Sequence, residues 1–287
     1  MDLTLQLIQS VQTNDVENTN RLIRAGADIN FIDENGKSLL YYAFAADQTD
    51  QIKTLMGNGI DLNARDMNGE TQFYKACDCY DYDYASFLIS IGANINITNN
   101  DGKTPVMSLF KPITSYAICR SFMLLVVHSA PCVNYGIQDV LGNTVLMYAT
   151  DNPECLPIIL YQNKDLDVKN LRGETALMLA VKNMNYVSVE ALLVAGADPN
   201  VRDAEDDTAL IVACKKQLIE IVRLIASYVK TNVDARNKLG MTALMYASIN
   251  SNIPIIKILK SRNANPDLKD VDSRTAVDHA ELMLVDK

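Results

Sequence analysis

Glycine returns along this 287-residue chain at a nearly constant interval. Gly36, Gly69, Gly102, Gly142, Gly173, Asp206, Gly240 and Ser273 occupy one slot, with spacings of 33, 33, 40, 31, 33, 34 and 33 residues. Two residues after it the phrase Thr-Ala-Leu-Met stands at Thr175 to Met178 and Thr242 to Met245, and a near copy at Thr144 to Met147. Such a period constrains the fold more tightly than composition does. A unit of about 33 residues has room for two short helices and cannot bury its apolar face alone, so copies must stack on one another.

The repeat beginning at Asp33 shows what each unit forms. Asn35-Gly36 is a tight-turn dipeptide, and Ser38 follows as the N-cap of a short helix, LLYYAFAA. Ile52, Leu55 and Met56 lie at helical spacing in a second helix, which Gly59 ends with a left-handed cap. Ile60, Leu62 and Asn63 lead outward to the next turn at Asp66. Each unit is therefore a hairpin turn, a short helix, a reversal, a longer helix and a loop.

With its DxxGxTxL opening and its GADxN closing, this arrangement resembles the ankyrin repeat. The closing phrase is present as Gly26 to Asn30, Gly92 to Asn96 and Gly196 to Asn200, with looser forms at Gly59 to Asn63, Ala130 to Asn134 and Asn263 to Asp267. The resemblance covers nearly the whole chain and implies an all-α, ankyrin-repeat solenoid of helix-turn-helix units joined by β-hairpin or loop connections. We expect one domain: a capping unit over 1–32, seven full repeats over 33–269, and a second cap over 270–287. The repeats open at Asp33, Asp66, Asn99, Asp139, Asn170, Asp203 and Asn237. In the last unit Asp278, His279 and Glu281 replace apolar residues, as a solvated outer face would require.

Irregularity is expected at 102–169. The seven extra residues of the 40-residue repeat are assigned to Lys111 to Ala117 between its helices and to Tyr135-Gly136 in the hairpin. The 31-residue repeat should have a short second helix, ending near Tyr161 to Asp165. Pro157 and Pro254 fall in the first turn of second helices, where a missing N–H costs little. Asp206 and Ser273 occupy the glycine slot, and because Asp tolerates left-handed geometry, Asp206 is expected to be a mild strain at most. The family's usual TPLH phrase carries a turn-fixing His, but here that slot holds Tyr41, Tyr74, Met107, Met147, Met178, Ile211 and Met245. Apolar packing is expected in its place.

Charge and motifs exclude several functions. A net charge of −9 opposes a phosphate backbone as partner, and an acidic face would steer basic proteins. No apolar run approaches the ~18 residues of a membrane span, and the amino terminus lacks the basic start of a secretory signal. The six cysteines show no framework spacing, which favours a reducing compartment. Cys77 and Cys79 lack the further ligands a zinc site needs. With only His128 and His279, and no phosphate-binding glycine loop or HExxH, the chain offers no catalytic constellation, metal or cofactor site.

Function is expected on two surfaces, the hairpin tips and the groove lined by first helices. Met67, Val140, Leu141, Leu171, Leu239 and Met241 should form an intermittent apolar edge at the tips. Four residues after the Thr/Ser slot, Tyr42, Lys75, Ser108, Tyr148, Leu179, Val212 and Tyr246 should face the groove, with tyrosine as the anchor type. In CDCYDYDY, Tyr84 takes a core slot, while Asp78, Cys79, Tyr80, Asp81 and Tyr82 form an acidic reversal loop suited to a basic partner. The candidate protein-binding residues are Tyr42, Met67, Lys75, Asp78, Cys79, Tyr80, Tyr82, Leu141, Tyr148, Leu171, Lys182, Lys215, Leu239 and Tyr246. The family resemblance implies a protein-binding adaptor, scaffold or inhibitor, monomeric and cytoplasmic. The alternatives are a nucleotide- or small-ligand-responsive regulator, or the arm of a host-directed effector acting in a host cytosol. Within the family, asparagine hydroxylation would fall at Asn30, Asn96 or Asn200.

Overall fold

The computed structural model describes residues 3–111, 115–129 and 132–285, with side chains described as far as 281. Helices occur in pairs at the expected period, and the chain divides into two compact units, Met1–Asn134 and Tyr135–Lys287. The N-terminal unit contains α1 (Leu3–Gln12), α2 (Val16–Arg24), α3 (Leu39–Ala45), α4 (Thr49–Gly57), α5 (Gln72–Asp78), α6 (Tyr82–Ser90), α7 (Pro105–Ser108) and α8 (Tyr116–Ser129). The C-terminal unit contains α9 (Val145–Tyr148), α10 (Leu156–Gln162), α11 (Ala176–Lys182), α12 (Tyr186–Ala195), α13 (Ala209–Lys215), α14 (Ile219–Ser227), α15 (Ala243–Ile249), α16 (Ile253–Ser261) and α17 (Ala276–Val285). In each unit, first helices stack on first helices and second on second, as α11 on α13 and α12 on α14. Among the described residues the only strand-like pairing is an isolated bridge between Ile32 and Ser38, so the hairpins are turns rather than ladders.

One side-chain oxygen builds every turn. The opening Asp or Asn accepts, through Oδ1, the backbone N–H groups two and four residues on. This holds for Asp33, Asp66, Asn99, Asp139, Asn170, Asp203, Asn237 and Asp270, at 2.8–3.0 Å. A short polar side chain that folds back on its own backbone explains why only Asp and Asn fill the slot. Gly173 in the same turn has φ of +73°, and a Cβ there would lie 2.6 Å from the backbone nitrogen of Ala204 in the next turn. Asp206 and Ser273 keep the left-handed geometry at φ of 60° and 64°.

Thr or Ser then caps the first helix. Ser38, Thr71, Thr104, Thr175, Thr208 and Thr242 each accept the N–H three residues on. The slot expected to rely on packing alone is partly polar. The sulfurs of Met107 and Met245 accept the backbone N–H of Thr104 and Thr242 at 3.4 Å, which closes a capping box with a thioether in place of a ring nitrogen.

The closing phrase also has a physical cause. Its last Asp or Asn reaches the following repeat. Asn30 Oδ1 accepts from Asp61 N–H, Asn63 from Asn94 and Asn96 from Asn134 in the N-terminal unit. Asp167, Asn200 and Asp234 accept in the same way from Asp198, Asn232 and Asn265 in the C-terminal unit. Asn96 and Asn200 further donate through Nδ2 to the carbonyls of Cys132 and Lys230. Within each unit the helices bury an apolar interior, with Leu88 and Val126 fully enclosed in the N-terminal unit and Leu192 and Ile225 in the C-terminal unit.

Between the paired helices the reversal residue lies in the left-handed region at Asp47, Tyr80, Met184, Gln217 and Ser251, with φ of 51–58°. Pro153 occupies that position in the repeat opening at Asp139, and a proline ring cannot reach positive φ. The reversal is accordingly rebuilt. A 3-10 turn, Ala149–Asp151, follows α9, and Asn152 Oδ1 accepts the N–H groups of Glu154 and Cys155. The second helix α10 is short, at seven residues, as the 31-residue spacing implied. Pro157 and Pro254 sit in the first turns of α10 and α16. The 40-residue repeat combines a four-residue α7 with a 14-residue α8, so much of the extra length extends the second helix. Residues 112–114 of the expected insertion, and 130–131 of a closing phrase, lie outside the described residues.

Two local expectations are corrected. His279 is not solvated but buried, its Nε2 2.8 Å from Asp270 Oδ2, while Asp278 and Glu281 are exposed as anticipated. Asp78 ends α5 and Tyr82 begins α6, so the reversal loop is only 79–81.

Candidate protein-binding surface

The groove candidates share a geometry that their sequence spacing contains. Nine residues after the turn-opening Asp or Asn, the side chain folds back to that residue. The hydroxyls of Tyr42 and Tyr148 donate to Oδ2 of Asp33 and Asp139 at 2.5 and 2.6 Å. Lys75 pairs with Asp66 at 3.1 Å and more closely with Glu70, and Tyr246 accepts from Asn237 Nδ2 at 3.0 Å. Where the residue nine on is apolar, as Leu179 and Val212 are, a lysine three further along takes over. Lys182 meets Glu174 at 2.5 Å and Lys215 meets Asp207. Lys215 also lies 4.8 Å above the Tyr246 ring, and Asn237 Nδ2 reaches back to Asp207 at 2.8 Å. Val212 and Ser108, expected on the groove, are buried.

These contacts tie α3, α5, α9, α11, α13 and α15 to their own turns and hold six of the named side chains in set orientations. They also set the ionisation. Burial pushes the Glu174 carboxyl up, but Lys182 and Asn170 outweigh it and leave the group below its usual range. Asp33 behaves alike, its burial outweighed by the Tyr42 hydroxyl and two backbone N–H groups. As the donor to Asp33, with burial as second cause, Tyr42 is pushed up to about 12. Burial lowers Lys75 and Lys215, but their carboxylate partners raise both above the ordinary lysine value.

The tips form a different surface. Backbone hydrogen bonds join each turn to the next: Leu171 N–H to Leu141 O, Ala204 to Arg172, Lys238 to Glu205 and Val271 to Leu239, at 3.0–3.1 Å. In the C-terminal unit this sets Leu141 beside Leu171 and Leu239 beside Val271, with Arg172, Glu205 and Lys238 between the two apolar pairs. Leu141, Leu171, Leu239 and Val271 are 59%, 77%, 58% and 64% exposed. In the N-terminal unit Met67 is 94% exposed at a tip joined to the next by Asn100 N–H to Asn68 O. Met241, expected with this edge, is buried, because the last residue of its turn points into the stack.

The CDCYDYDY segment packs within its own unit. Asp78 pairs with Lys111 at 2.8 Å, and that lysine stands 5.7 Å from the Tyr80 ring. Tyr80 Oη donates to Leu109 O at 3.2 Å, and the rings of Tyr80 and Tyr82 meet the edge of Phe122. Tyr84 is buried against Tyr41 and Phe44, and its hydroxyl is pushed up chiefly by burial. Cys79 remains exposed, as does half of Tyr82. Among the described residues no helix is long and apolar enough to cross a membrane, and no group of His, Cys, Asp and Glu is placed to hold a metal.

Comparison with known proteins agrees with this geometry. A family model described as ankyrin repeats in three copies matches residues 7–101, 95–203 and 177–270. The ankyrin repeat protein L371 of Acanthamoeba polyphaga mimivirus is 28% identical over 152 residues, 49% of this chain and 20% of that protein. Alpha-latroinsectotoxin-Lt1a of Latrodectus tredecimguttatus is 29% identical over 161 residues, 54% of this chain and 10% of the toxin. The mitochondrial disaggregase of Bos taurus is 33% identical over 129 residues, 42% of this chain and 18% of the disaggregase. The chain thus spans a fifth or less of these curated relatives. Among solved structures, the ankyrin repeat domain of Bcl-3, a member of the IkappaB protein family, superposes with a TM-score of 0.64 at 25% identity, over 74% of this chain and 95% of that one. Ankyrin repeats are generally protein–protein interaction modules and typically non-catalytic, and this chain, matched by the family model from residue 7 to residue 270, belongs to the ankyrin repeat family.

Proposed function

We propose that this chain is a non-catalytic module that binds a protein partner through its hairpin tips and the first-helix faces beside them, serving as an adaptor, scaffold or inhibitor. The observation that carries this reading is the tip row of the C-terminal unit. Two exposed apolar pairs, Leu141 with Leu171 and Leu239 with Val271, are held by turn-to-turn backbone bonds. Apolar side chains on a fixed backbone bind at low entropic cost, and such patches mark contact sites. The first-helix residues Tyr42, Lys75, Tyr148, Lys182, Lys215 and Tyr246 offer half-buried polar faces already oriented by their own turns. The likeness to the Bcl-3 ankyrin domain, of the IkappaB family, supports protein binding. The N-terminal unit, with nine Lys and Arg against fifteen Asp and Glu, would favour a partner with a basic surface there, at Asp78, Cys79, Tyr80 and Tyr82. The reading treats residues 33–269 as seven consecutive repeats between caps, monomeric and cytoplasmic.

The test is affinity capture from the native source, partner identification by mass spectrometry, and titration of the purified partner against Leu171→Glu and Leu239→Glu. Both side chains are exposed, so the fold should survive. Binding weakened by about tenfold or more in each is expected for anchors near a contact centre. Unchanged affinity in both variants would remove the tips from the interface. Loss only in Tyr148→Ala and Tyr246→Ala would move it to the first-helix faces.

A further inference from the structure

The repeat opening at Asp203 is one residue longer than its neighbour, and the extra residue falls after its second helix. There the chain departs from the family pattern. Where α12 ends in the left-handed Gly196, α14 ends at Tyr228 in extended geometry (φ −71°, ψ 127°). The Tyr228 hydroxyl donates to Leu193 O, and Thr231 returns to Ile225 O at 2.6 Å. This builds a fixed ledge that presents Val229, 93% exposed, beside Lys230. Val194, near the end of the neighbouring α12, is 78% exposed.

Along α14 and α16 beside the ledge the charge is opposite to that of the chain; a neighbouring carboxylate outside these helices, Asp198, is held by Asn200 Nδ2 at 3.1 Å, the same nitrogen that donates to Lys230 O at 2.8 Å. Residues 219–230 and 253–262, which carry α14 and α16, hold five basic residues (Arg223, Lys230, Lys257, Lys260 and Arg262) and one acidic residue, Glu220. The helices pack together, and Lys257 occupies in α16 the position of Arg223 in α14, one 34-residue repeat earlier. Arg262 is drawn over the end of α14 by Nη2 donating to Ser227 O at 3.3 Å. Arg223 pairs with Glu220 at 3.3 Å while both stay largely exposed; Glu190 on α12 is the other carboxylate in that row. Lys230, Lys257 and Lys260 are exposed.

We propose that this exposed face of α14 and α16 docks an acidic protein segment that carries an aliphatic side chain, the carboxylates meeting the Lys/Arg cluster and the aliphatic group covering Val229. Screening decides the class of partner. At physiological salt a charge is felt over about 8 Å, so a short acidic segment senses only the local cluster. An extended polyanion, whether duplex nucleic acid or a charged bilayer, would also meet the surrounding surface of a chain of net charge −9, which repels it. The exposed valines favour the segment as well, since an apolar contact adds to affinity without cost in salt sensitivity.

The experiment uses the whole chain and a fluorescein-labelled peptide of interspersed Glu, Asp and Leu, read by anisotropy at about 50 mM and about 500 mM salt. Saturable binding at low salt is expected, weakened by high salt. Lys257→Glu with Lys260→Glu should weaken it about tenfold, because each exposed contact turns from attraction to repulsion. Val229→Asp should weaken it too, and Lys53→Glu on α4 should leave it unchanged. Circular dichroism confirms that each variant folds. Absence of binding, or binding indifferent to the double reversal, overturns the proposal. So does tighter, Lys257/Lys260-dependent binding of short duplex DNA or of vesicles containing roughly one-third phosphatidylserine, which would assign the face to that polyanion instead. A peptide lacking Leu but matched in charge should bind less well; equal binding would strike out the aliphatic contact.

Discussion

Removal of the turn-opening carboxylate at Asp203 isolates the device on which every repeat depends. Its Oδ1 accepts the N–H groups of Glu205 and Asp207, both at 2.9 Å, and its side chain is only 8% exposed. In Asp203→Ala the Glu205 amide, at an exposed tip, regains water and loses about 1 kcal/mol of net hydrogen-bond stabilisation. Asp207 is 4% exposed, so its amide is left without an acceptor at a cost of about 1–3 kcal/mol. The sum is about 2–4 kcal/mol, or a fall of roughly 4–16 °C in the midpoint of the C-terminal unit at about 2–4 °C per kcal/mol for a body of this size. Asp203→Asn keeps the acceptor, and Asn fills the same slot at Asn99, Asn170 and Asn237, so its loss should stay under about 1 kcal/mol. Thermal and urea melts by circular dichroism, with amide exchange followed at 203–207, measure both. An alanine variant within about 0.5 kcal/mol of the parent, or an asparagine variant as damaged as the alanine, would refute the argument that this oxygen builds the turn.

Two further perturbations have defined outcomes. Met184 is held at φ of 58° with 63% of its surface exposed, so Met184→Asn, which suits left-handed geometry, should stabilise by about 0.5–1 kcal/mol in a urea melt; a loss would show that the methionine packs more than it strains. The Glu174 carboxyl titrates below its unfolded value near 4.3, so its stabilisation is complete above that pH and fades as pH falls through the lower folded value. The stability gap between the parent chain and Glu174→Gln should therefore narrow below about pH 4, and a gap unchanged at pH 2 would contradict the Lys182 pairing.

Much of the fold was legible because a repeat states its instructions many times. The turn-opening Asp or Asn, the glycine slot, the Thr cap and the apolar rows act through bonds within one repeat, so their spacing along the chain is their spacing in space. The short α10 followed from two missing residues. The rebuilt reversal at Pro153 was equally available to reading, since no proline can take the φ that Met184 and Gln217 adopt. The link from Tyr42, Lys75, Tyr148, Tyr246 and His279 to a turn nine residues back was also written in the spacing, but as a mixture of side chains whose common partner becomes visible only when the turn folds toward the helix.

What the chain determines by itself is thus periodic and local: two helices per repeat, where each begins, and which residue opens each turn. Tertiary structure alone decided what is exposed. Met241 and Leu239 stand two residues apart in one turn, yet stacking buries the first and leaves the second in solvent. His279 looked like a residue of a solvated cap until Asp270 enclosed it. The ledge at Val229 depends on a helix end that Tyr228 breaks by reaching into the preceding repeat. Burial is a property of neighbours brought together by stacking, and no single repeat carries that information in its own sequence.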